Sequence, residues 1–271
     1  MSKTLAFQWA RVALLAAVIA GPGLLVSGCL DSGAAGRRGA PSRAAVAAMR
    51  TTQFELVDSS RQRVVPVVAY FPAGLGAAGR PKLKLALLNH GYGGQNTAYT
   101  FVARNLVAHG YYVASLQQDL PGDVPMPPTT SNVYQARYPY WERGVRTMLF
   151  ARRALGRRYP QLDTSQVLLM GHSNGGDMVM LFAQQHPKLV QKVITFDNRR
   201  VPFPRQRQPV LLSLRSSDQV ADAGVVPTPA EQAKYGMTVV QLPATLHNDM
   251  WDGATDQQKQ EMNAWISRFL E

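Results

Sequence analysis

The sequence predicts an α/β fold built on a mainly parallel sheet, and two observations support this. From residue 51 onward, short runs rich in β-branched residues alternate with longer amphipathic stretches, a pattern typical of successive βα units. Apolar residues make up 46% of the 271 residues and charged residues 17%, so the chain can bury a large core. We find neither an internal repeat nor a second linker, and therefore expect one domain over 51–271.

Eight short apolar runs are predicted to be strands. They lie at 53–58, 63–71, 84–90, 111–117, 166–171, 189–196, 208–215 and 237–242. Pro66, in the second run, has no N–H to donate, so we expect that strand to lie at an edge or to carry a bulge.

Four helices are predicted between and after these strands. One covers 97–109 and ends at Gly110, and two more cover about 141–155 and 174–186. The last helix follows Thr255, because Thr255 and Gln258 have the spacing of a capping box.

The first 28 residues have the features of an export signal. Lys3 and Arg11 supply positive charge, and 12–26 is an apolar stretch interrupted by a Gly-Pro-Gly sequence, which argues against a spanning helix. The following "LVSGC" resembles the lipobox of bacterial lipoproteins, a resemblance that implies cleavage before Cys29 and its acylation. An ordinary cleaved signal with a chance cysteine nearby is the alternative.

Residues 29–50 contain no aromatic residue and are rich in Ala, Gly and Arg, so we expect a flexible tether between the lipid and the domain. The formal charge of the whole chain is +12, and loss of 1–28 removes two basic and no acidic residues, which leaves +10. The remaining basic residues are scattered. We therefore expect a membrane-anchored protein of the bacterial cell envelope whose surface faces anionic polymers, and not a nucleic-acid-binding protein.

A candidate nucleophile lies in "GHSNG" (171–175), which fits G-x-S-x-G between a predicted strand and a predicted helix. That setting indicates a nucleophile elbow at Ser173. The flanking glycines remove Cβ atoms that would collide at so sharp a turn. The helix that follows directs its first N–H groups toward the site and favours negative charge there.

A serine hydroxyl needs a base within hydrogen-bond reach, and the base needs a carboxylate. His247 follows the last predicted strand and is the candidate base. Asp218, just after the strand at 208–215, is the candidate acid, and the order Ser173, Asp218, His247 suits a sheet-based hydrolase. Asp197 and Asp222 are alternatives for the acid.

Two main-chain N–H groups are candidates for an oxyanion hole. One belongs to Asn174, directly after the serine. The other is expected from "NHGYGG" (89–94), after the third predicted strand, and is assigned to Tyr92.

Taken together, "NHGYGG", "GHSNGG", "SSDQVAD" and "LHNDM" resemble the α/β-hydrolase superfamily over about 60–271. The compact bacterial members, such as dienelactone-hydrolase-like enzymes, acetylesterases and polyester hydrolases, are the most similar in pattern. The resemblance implies about eight mostly parallel strands with helices on both faces, and no cofactor. No histidine–carboxylate spacing suits a metal site.

The substrate cleft is predicted to lack a large lid, because only the short segment "DNRRVPFPRQRQ" (197–208) lies between the end of one strand and the body of the next, where lipases insert helices. Tyr134, Tyr138 and Tyr140 could form an aromatic wall, or could simply pack their helix. Arg199 and Arg200 could bind a substrate carboxylate, or form a solvated charge cluster.

The sequence therefore predicts a serine hydrolase that cleaves small or polymeric carboxylic esters through an acyl-enzyme. A peptidase or an acyltransferase with the same triad is the alternative. A non-catalytic binding module on the same scaffold is a more remote one.

Overall fold

The computed structural model describes residues 49–74, 82–128 and 132–271. The predicted signal peptide, Cys29 and the tether as far as residue 48 lie outside the described residues. The first strand begins at Met49, two residues before the predicted start of the domain. In the part of the chain that is described, no helix has both the length and the apolar character needed to cross a bilayer.

The domain is built on one eight-stranded sheet. The strands are β1 Met49–Asp58, β2 Arg63–Pro72, β3 Leu83–Asn89, β4 Tyr111–Leu116, β5 Leu162–His172, β6 Val190–Phe196, β7 Val210–Arg215 and β8 Met237–Gln241. Their order in the sheet is β1-β2-β4-β3-β5-β6-β7-β8. β2 runs antiparallel to both β1 and β4, and the other neighbouring pairs are parallel. The predicted mainly parallel sheet is confirmed.

The prediction that Pro66 marks an edge strand or a bulge is wrong, because β2 lies between β1 and β4 and its pairing with β1 has no register shift at Pro66. The carbonyl of Pro66 accepts the N–H of Gln117 at 2.9 Å, just beyond the last β2–β4 pair, Val67 with Leu116. The proline nitrogen faces the same side as its carbonyl, where the ladder has ended, so its missing N–H costs no hydrogen bond.

Helices cover both faces of the sheet, as predicted. They are α1 Thr100–Ala108, α2 Val133–Arg158, α3 Asn174–Gln185, α4 Pro229–Tyr235 and α5 Asp256–Leu270. The buried residues of α2 and α3 join one core cluster, and those of α1 and α5 join the cluster on the opposite face. Apolar burial on both sides explains why the central strands are continuous apolar runs.

Two helices differ from their predictions. α2 begins at Val133, eight residues before the predicted start, where the Asn132 side chain accepts the N–H of Gln135. α4 was not predicted, although the side chains of Thr228 and Glu231 form a capping box at its start. The predicted capping box of α5, between Thr255 and Gln258, is present.

Candidate active site

Ser173 lies at the turn between β5 and α3. Its backbone has a φ of +51°, a region that non-glycine residues rarely adopt. The N–H of Ser173 donates to the carbonyl of Phe196 at the end of β6, at 2.7 Å. This bond to the neighbouring strand fixes the strained turn to the sheet edge.

The glycines around Ser173 are required by close backbone approaches. A Cβ on Gly171 would lie 2.2 Å from the carbonyl oxygen of Gly175. A Cβ on Gly175 would lie 2.4 Å from the carbonyl oxygen of His90 and 2.5 Å from that of Asn89. Such distances are far below van der Waals contact, so any side chain at these positions would force the turn and the 89–94 segment apart.

His247 lies on a short 3₁₀ turn after β8, and its ring reaches Ser173. Nε2 of His247 is 3.0 Å from Oγ of Ser173, although 74 positions separate them in the chain. The structure therefore brings together the predicted nucleophile and the predicted base.

The carboxylate that contacts the ring belongs to Asp197. Oδ2 of Asp197 is 2.8 Å from Nδ1 of His247. This corrects the prediction that Asp218 would orient the ring: Oδ1 of Asp218 instead accepts the main-chain N–H of His247 at 2.7 Å. Asp197 follows β6, which is the neighbour of the serine-bearing β5, whereas Asp218 follows β7, one strand farther away.

Asp197 is fully buried and surrounded by hydrogen-bond donors. Its Oδ1 accepts the N–H of Ser216 at 3.0 Å and lies 3.3 Å from Nη2 of Arg215, and its Oδ2 also accepts the Ser216 hydroxyl. Burial alone would raise the pKa of Asp197, but the bonds from His247 and Ser216 and the charge of Arg215 outweigh it and lower that pKa. The carboxylate is therefore ionised at neutral pH.

This charge state sets the tautomer of His247. An ionised carboxylate can only accept, so the proton of the neutral ring lies on Nδ1, which donates to Asp197. Nε2 then presents its lone pair to the Ser173 hydroxyl. The arrangement is that of a base ready to take the serine proton.

Asp177, on the first turn of α3, holds the segment that follows Asp197. Its Oδ1 accepts three successive main-chain N–H groups, at 3.1, 2.8 and 2.9 Å, from Arg199, Arg200 and Val201. Asp197 itself has a φ of +54°, so the backbone needs such anchoring to keep its conformation. Asp177 was not predicted as a site residue, although a single acidic residue ahead of the apolar stretch of this helix was a visible signal.

A second chain of hydrogen bonds supports the site from the other side. The N–H of Gly91 donates to the Tyr99 hydroxyl at 3.3 Å, and that hydroxyl donates to Nδ1 of His172 at 2.8 Å. Burial, and next the charge of His247, lower the pKa of His172 to about 3. His172 is therefore neutral, which matters because its ring centroid is only 4.8 Å from that of His247.

His90 organises the turn at 91–94. It is buried, its Nδ1 donates to the carbonyl of Gly91 at 2.7 Å, and its Nε2 accepts the N–H of Gln118 at 2.9 Å. Burial lowers the pKa of His90, consistent with a neutral ring that donates on one nitrogen and accepts on the other. This histidine thus acts as a structural brace between two loops.

The two predicted oxyanion donors lie next to this machinery. In 91–94, Gly91 donates to Tyr99, Gly93 to Asp119 and Gly94 to the carbonyl of Gly91. Within the described chain, the N–H of Tyr92 is the one in this turn without a protein acceptor. Asn174 is the first residue of α3, so its N–H has no intrahelical acceptor.

The side chain of Asn174 is held by a contact that the sequence analysis missed. Nε1 of Trp141, a fully buried residue of α2, donates to Oδ1 of Asn174 at 2.8 Å. Tyr134 packs edge-on against Trp141 at 5.4 Å between ring centroids, and Tyr140 is buried with its hydroxyl on Asp119. Of the two interpretations, an aromatic wall over the substrate or packing of the helix, these contacts of Tyr134 and Tyr140 favour packing of α2.

The two arginines after Asp197 are engaged with polar neighbours. Arg200 pairs with Asp222, and a guanidinium N–H of Arg199 donates to the side-chain oxygen of Gln219. Asp222, one alternative for the acid, is thus paired with Arg200. Among the described residues, no group of three or more His, Cys, Asp or Glu side chains could hold a metal ion.

Comparison with known proteins agrees with this architecture. A dienelactone hydrolase-like promiscuous phosphotriesterase, P91, from metagenomic libraries matches with a TM-score of 0.59 and 15% identity, over 82% of this chain and 98% of its own. The chain has the α/β-hydrolase fold. No family model matches the sequence, and no curated protein matches it.

Two esterase structures share the same fold. A ferulic acid esterase from Streptomyces cinnamoneus matches with a TM-score of 0.56 and 17% identity, over 82% of this chain and 88% of its own. The esterase Est22 matches with a TM-score of 0.56 and 11% identity, over 83% of this chain and 82% of its own. These likenesses concern the fold, and function must be argued from the site.

Proposed function

We propose that this protein is a serine hydrolase that cleaves carboxylic esters through an acyl-enzyme. The observation that carries the proposal is the pair of hydrogen bonds that joins Ser173 to His247 at 3.0 Å and His247 to Asp197 at 2.8 Å. A nucleophile, a base and a buried anion in this order are what activation of a serine hydroxyl requires. The esterases that share the fold agree with this reading.

In the first half of the reaction, Oγ of Ser173 attacks the ester carbonyl carbon while Nε2 of His247 takes its proton. The ring becomes a cation, which the buried charge of Asp197 stabilises through Nδ1–H. The proton then passes from Nε2 to the alcohol oxygen, the ester C–O bond breaks, and the acyl group stays on Ser173. Neutral His172 adds no competing positive charge beside this cation.

The negative oxygen of the tetrahedral intermediate needs donors that are already in place. The N–H groups of Tyr92 and Asn174 are free to serve, since neither is used inside the described chain. The start of α3 adds its dipole. Losing one donor of this kind costs roughly 3–4 kcal/mol of transition-state stabilisation.

In the second half, His247 takes a proton from water, the resulting hydroxide attacks the acyl carbon, and Ser173 recovers its proton as the acid leaves. No helix occurs between β6 and β7, the position at which a large lid was considered. A site without a large helical lid at this position suits small esters, or a segment of a polymer lying across the surface.

Labelling with a fluorophosphonate probe tests the nucleophile. Wild-type protein should be labelled and Ser173→Ala should not. Ser165→Ala is the matched control, because Ser165 is an exposed serine nearer the start of the same strand, and it should label like wild type. Undiminished labelling of Ser173→Ala would refute the assignment.

A panel of substrates then tests which type of bond the protein cleaves. Matched ester, thioester and amide substrates should be hydrolysed with the ester preferred. Turnover of peptides would favour the peptidase alternative. Capture of the acyl group by an added amine or alcohol, in preference to water, would favour the acyltransferase alternative.

We also propose that the mature protein is held in the bacterial cell envelope by lipid on Cys29. The support comes from the "LVSGC" sequence, since Cys29 is the single cysteine of the chain. Stable anchoring needs more than one acyl chain. Cys29→Ser should release the full chain from membranes and abolish a lipid mass on its N-terminal peptide; unchanged membrane association without attached lipid would contradict the anchor.

A further inference from the structure

A cavity of about 420 Å³ is lined by the 91–94 turn and by His172, the residue before Ser173. We call it the side slot, and its walls include Gly91, Gly94, Tyr99, His172, Asn248 and Trp251. Gly91 connects it to the nucleophile, because a Cβ placed on Gly91 would lie 3.4 Å from Cβ of Ser173. Asn248 follows His247 directly. The lining of the slot therefore includes the chain neighbours of both the nucleophile and its base, His172 and Asn248.

The slot has no charged side chain in its lining. Glycine main chain supplies one wall at 91–94, and Trp251, a residue that is 44% exposed to solvent, supplies its indole. Trp251 is one of the large apolar side chains that stay exposed in the described chain, and it is the one that lines this slot together with Tyr92. Flat apolar surface of this kind favours a planar apolar ligand over a charged or strongly hydrated one.

Trp251 packs against a nearby glycine. A Cβ on Gly253 would lie 2.5 Å from Cζ2 and 2.6 Å from Cε2 of the indole, so the ring rests directly against the Gly253 main chain. The next residue, Asp252, accepts the N–H groups of Thr100 and Phe101 at 2.9 and 3.0 Å. Its own N–H donates to the carbonyl of Ala98 at 2.9 Å.

Asp252 thus fastens the loop that carries Trp251 to the start of α1, next to the opposite wall at Ala98 and Tyr99. Because both walls are fixed before any ligand arrives, little ordering cost opposes binding.

We infer that the side slot binds an aromatic ring of the ester substrate and that Trp251 is a specificity-determining residue. This inference rests on the proposed ester hydrolysis and adds the substrate class to it: esters with an aryl group close to the scissile bond, on the alcohol or the acyl side. The volume of the slot, about 420 Å³, accommodates one substituted ring.

The test compares matched aryl and alkyl esters. Benzyl acetate is set against butyl acetate for the alcohol side, and methyl phenylacetate against methyl pentanoate for the acyl side. In at least one pair, wild type should prefer the aryl ester, and Trp251→Ala should lower kcat/KM for that ester about tenfold while leaving its alkyl partner within about twofold. Leu246→Ala is the control, since Leu246 is exposed to a similar degree, 50% against 44% for Trp251, but does not line the slot.

A binding measurement separates this inference from the proposed function. Ligand-observed NMR with benzyl alcohol and 1-butanol is carried out on Ser173→Ala and on the double variant Ser173→Ala/Trp251→Ala, which need no turnover. The single variant should bind benzyl alcohol more tightly than 1-butanol. The double variant should bind the two alcohols with similar affinity.

If no ester reacts but benzyl alcohol still binds, the proposed ester hydrolysis is refuted, whereas the proposal that the side slot binds an aromatic ring stands. If the aryl-to-alkyl ratio of kcat/KM and the aryl-to-alkyl ratio of affinity are each the same with and without Trp251, the proposal that the side slot binds an aromatic ring is overturned.

Discussion

Nδ1 of His247 lies 2.8 Å from Oδ2 of Asp197, a carboxylate that ends the strand beside the one that carries Ser173. Oδ1 of Asp218, the predicted partner, instead accepts the main-chain N–H of His247 at 2.7 Å. One residue therefore has its ring fixed by one aspartate and its backbone fixed by another. The two aspartates should differ sharply in their effect on catalysis.

Asp197→Asn should reduce kcat by about 10³- to 10⁴-fold, because an amide neither stabilises the imidazolium nor enforces the Nδ1–H tautomer. Asp218→Asn should reduce kcat about tenfold at most, since its amide oxygen can still accept the main-chain N–H of His247. Steady-state kinetics on one ester gives both values. A larger loss in Asp218→Asn than in Asp197→Asn would contradict the assignment of Asp197.

The lowered pKa of Asp197 predicts a pH-dependent contribution to stability. Its charge favours the folded state above roughly pH 3.9, the pKa of an unfolded aspartate, and this contribution is lost as the pH falls through the lower folded value. Asp197→Asn cannot titrate at this site. Its free energy of unfolding should therefore fall less steeply than that of wild type below about pH 4, measured by urea denaturation at several pH values. Parallel curves would mean that Asp197 is not preferentially charged in the folded protein.

Asp177→Ala should lower kcat with little change in KM, because three main-chain N–H groups lose their acceptor and the segment after Asp197 loosens. Leaving these donors unpaired should also cost about 1–3 kcal/mol in the free energy of unfolding. Asp177→Asn keeps one acceptor oxygen and should recover most of kcat. If Asp177→Ala loses stability without losing kcat, Asp177 does not position the triad.

Tyr99→Phe should destabilise the protein by about 1–3 kcal/mol, because it leaves the Gly91 N–H and His172 Nδ1 without their shared partner. Burial raises the pKa of Tyr99 to about 12, so the hydroxyl is protonated at any pH used in the measurement. Tyr111→Phe is the control: its ring packs in the same core cluster, and its hydroxyl bonds to no described residue. Equal unfolding free energies for the two variants would show that the Tyr99 hydroxyl carries no stabilising bond.

Much of the fold could be predicted because its signals are local. Most strands contain an apolar run between polar segments, and Thr255 with Gln258 marks the start of α5 within four residues. The short approaches at Gly171 and Gly175 explain why the elbow at Ser173 was visible as a motif. The start of α2 and the short helix α4 were missed, since a Pro-rich loop precedes the first and few apolar residues mark the second.

By itself, the sequence determined that a serine on a strained turn would meet a late histidine at the edge of a mainly parallel sheet. Only the tertiary structure decided which aspartate contacts the ring of His247. Asp197 and Asp218 both follow strands, but only β6, the strand before Asp197, is a neighbour of β5 in the sheet. The tertiary structure also decided the supporting contacts of Asp177, Tyr99 and Trp141, which join residues far apart in the chain. Local spacing cannot specify such contacts, since they depend on how the strands are ordered and how the helices pack across them.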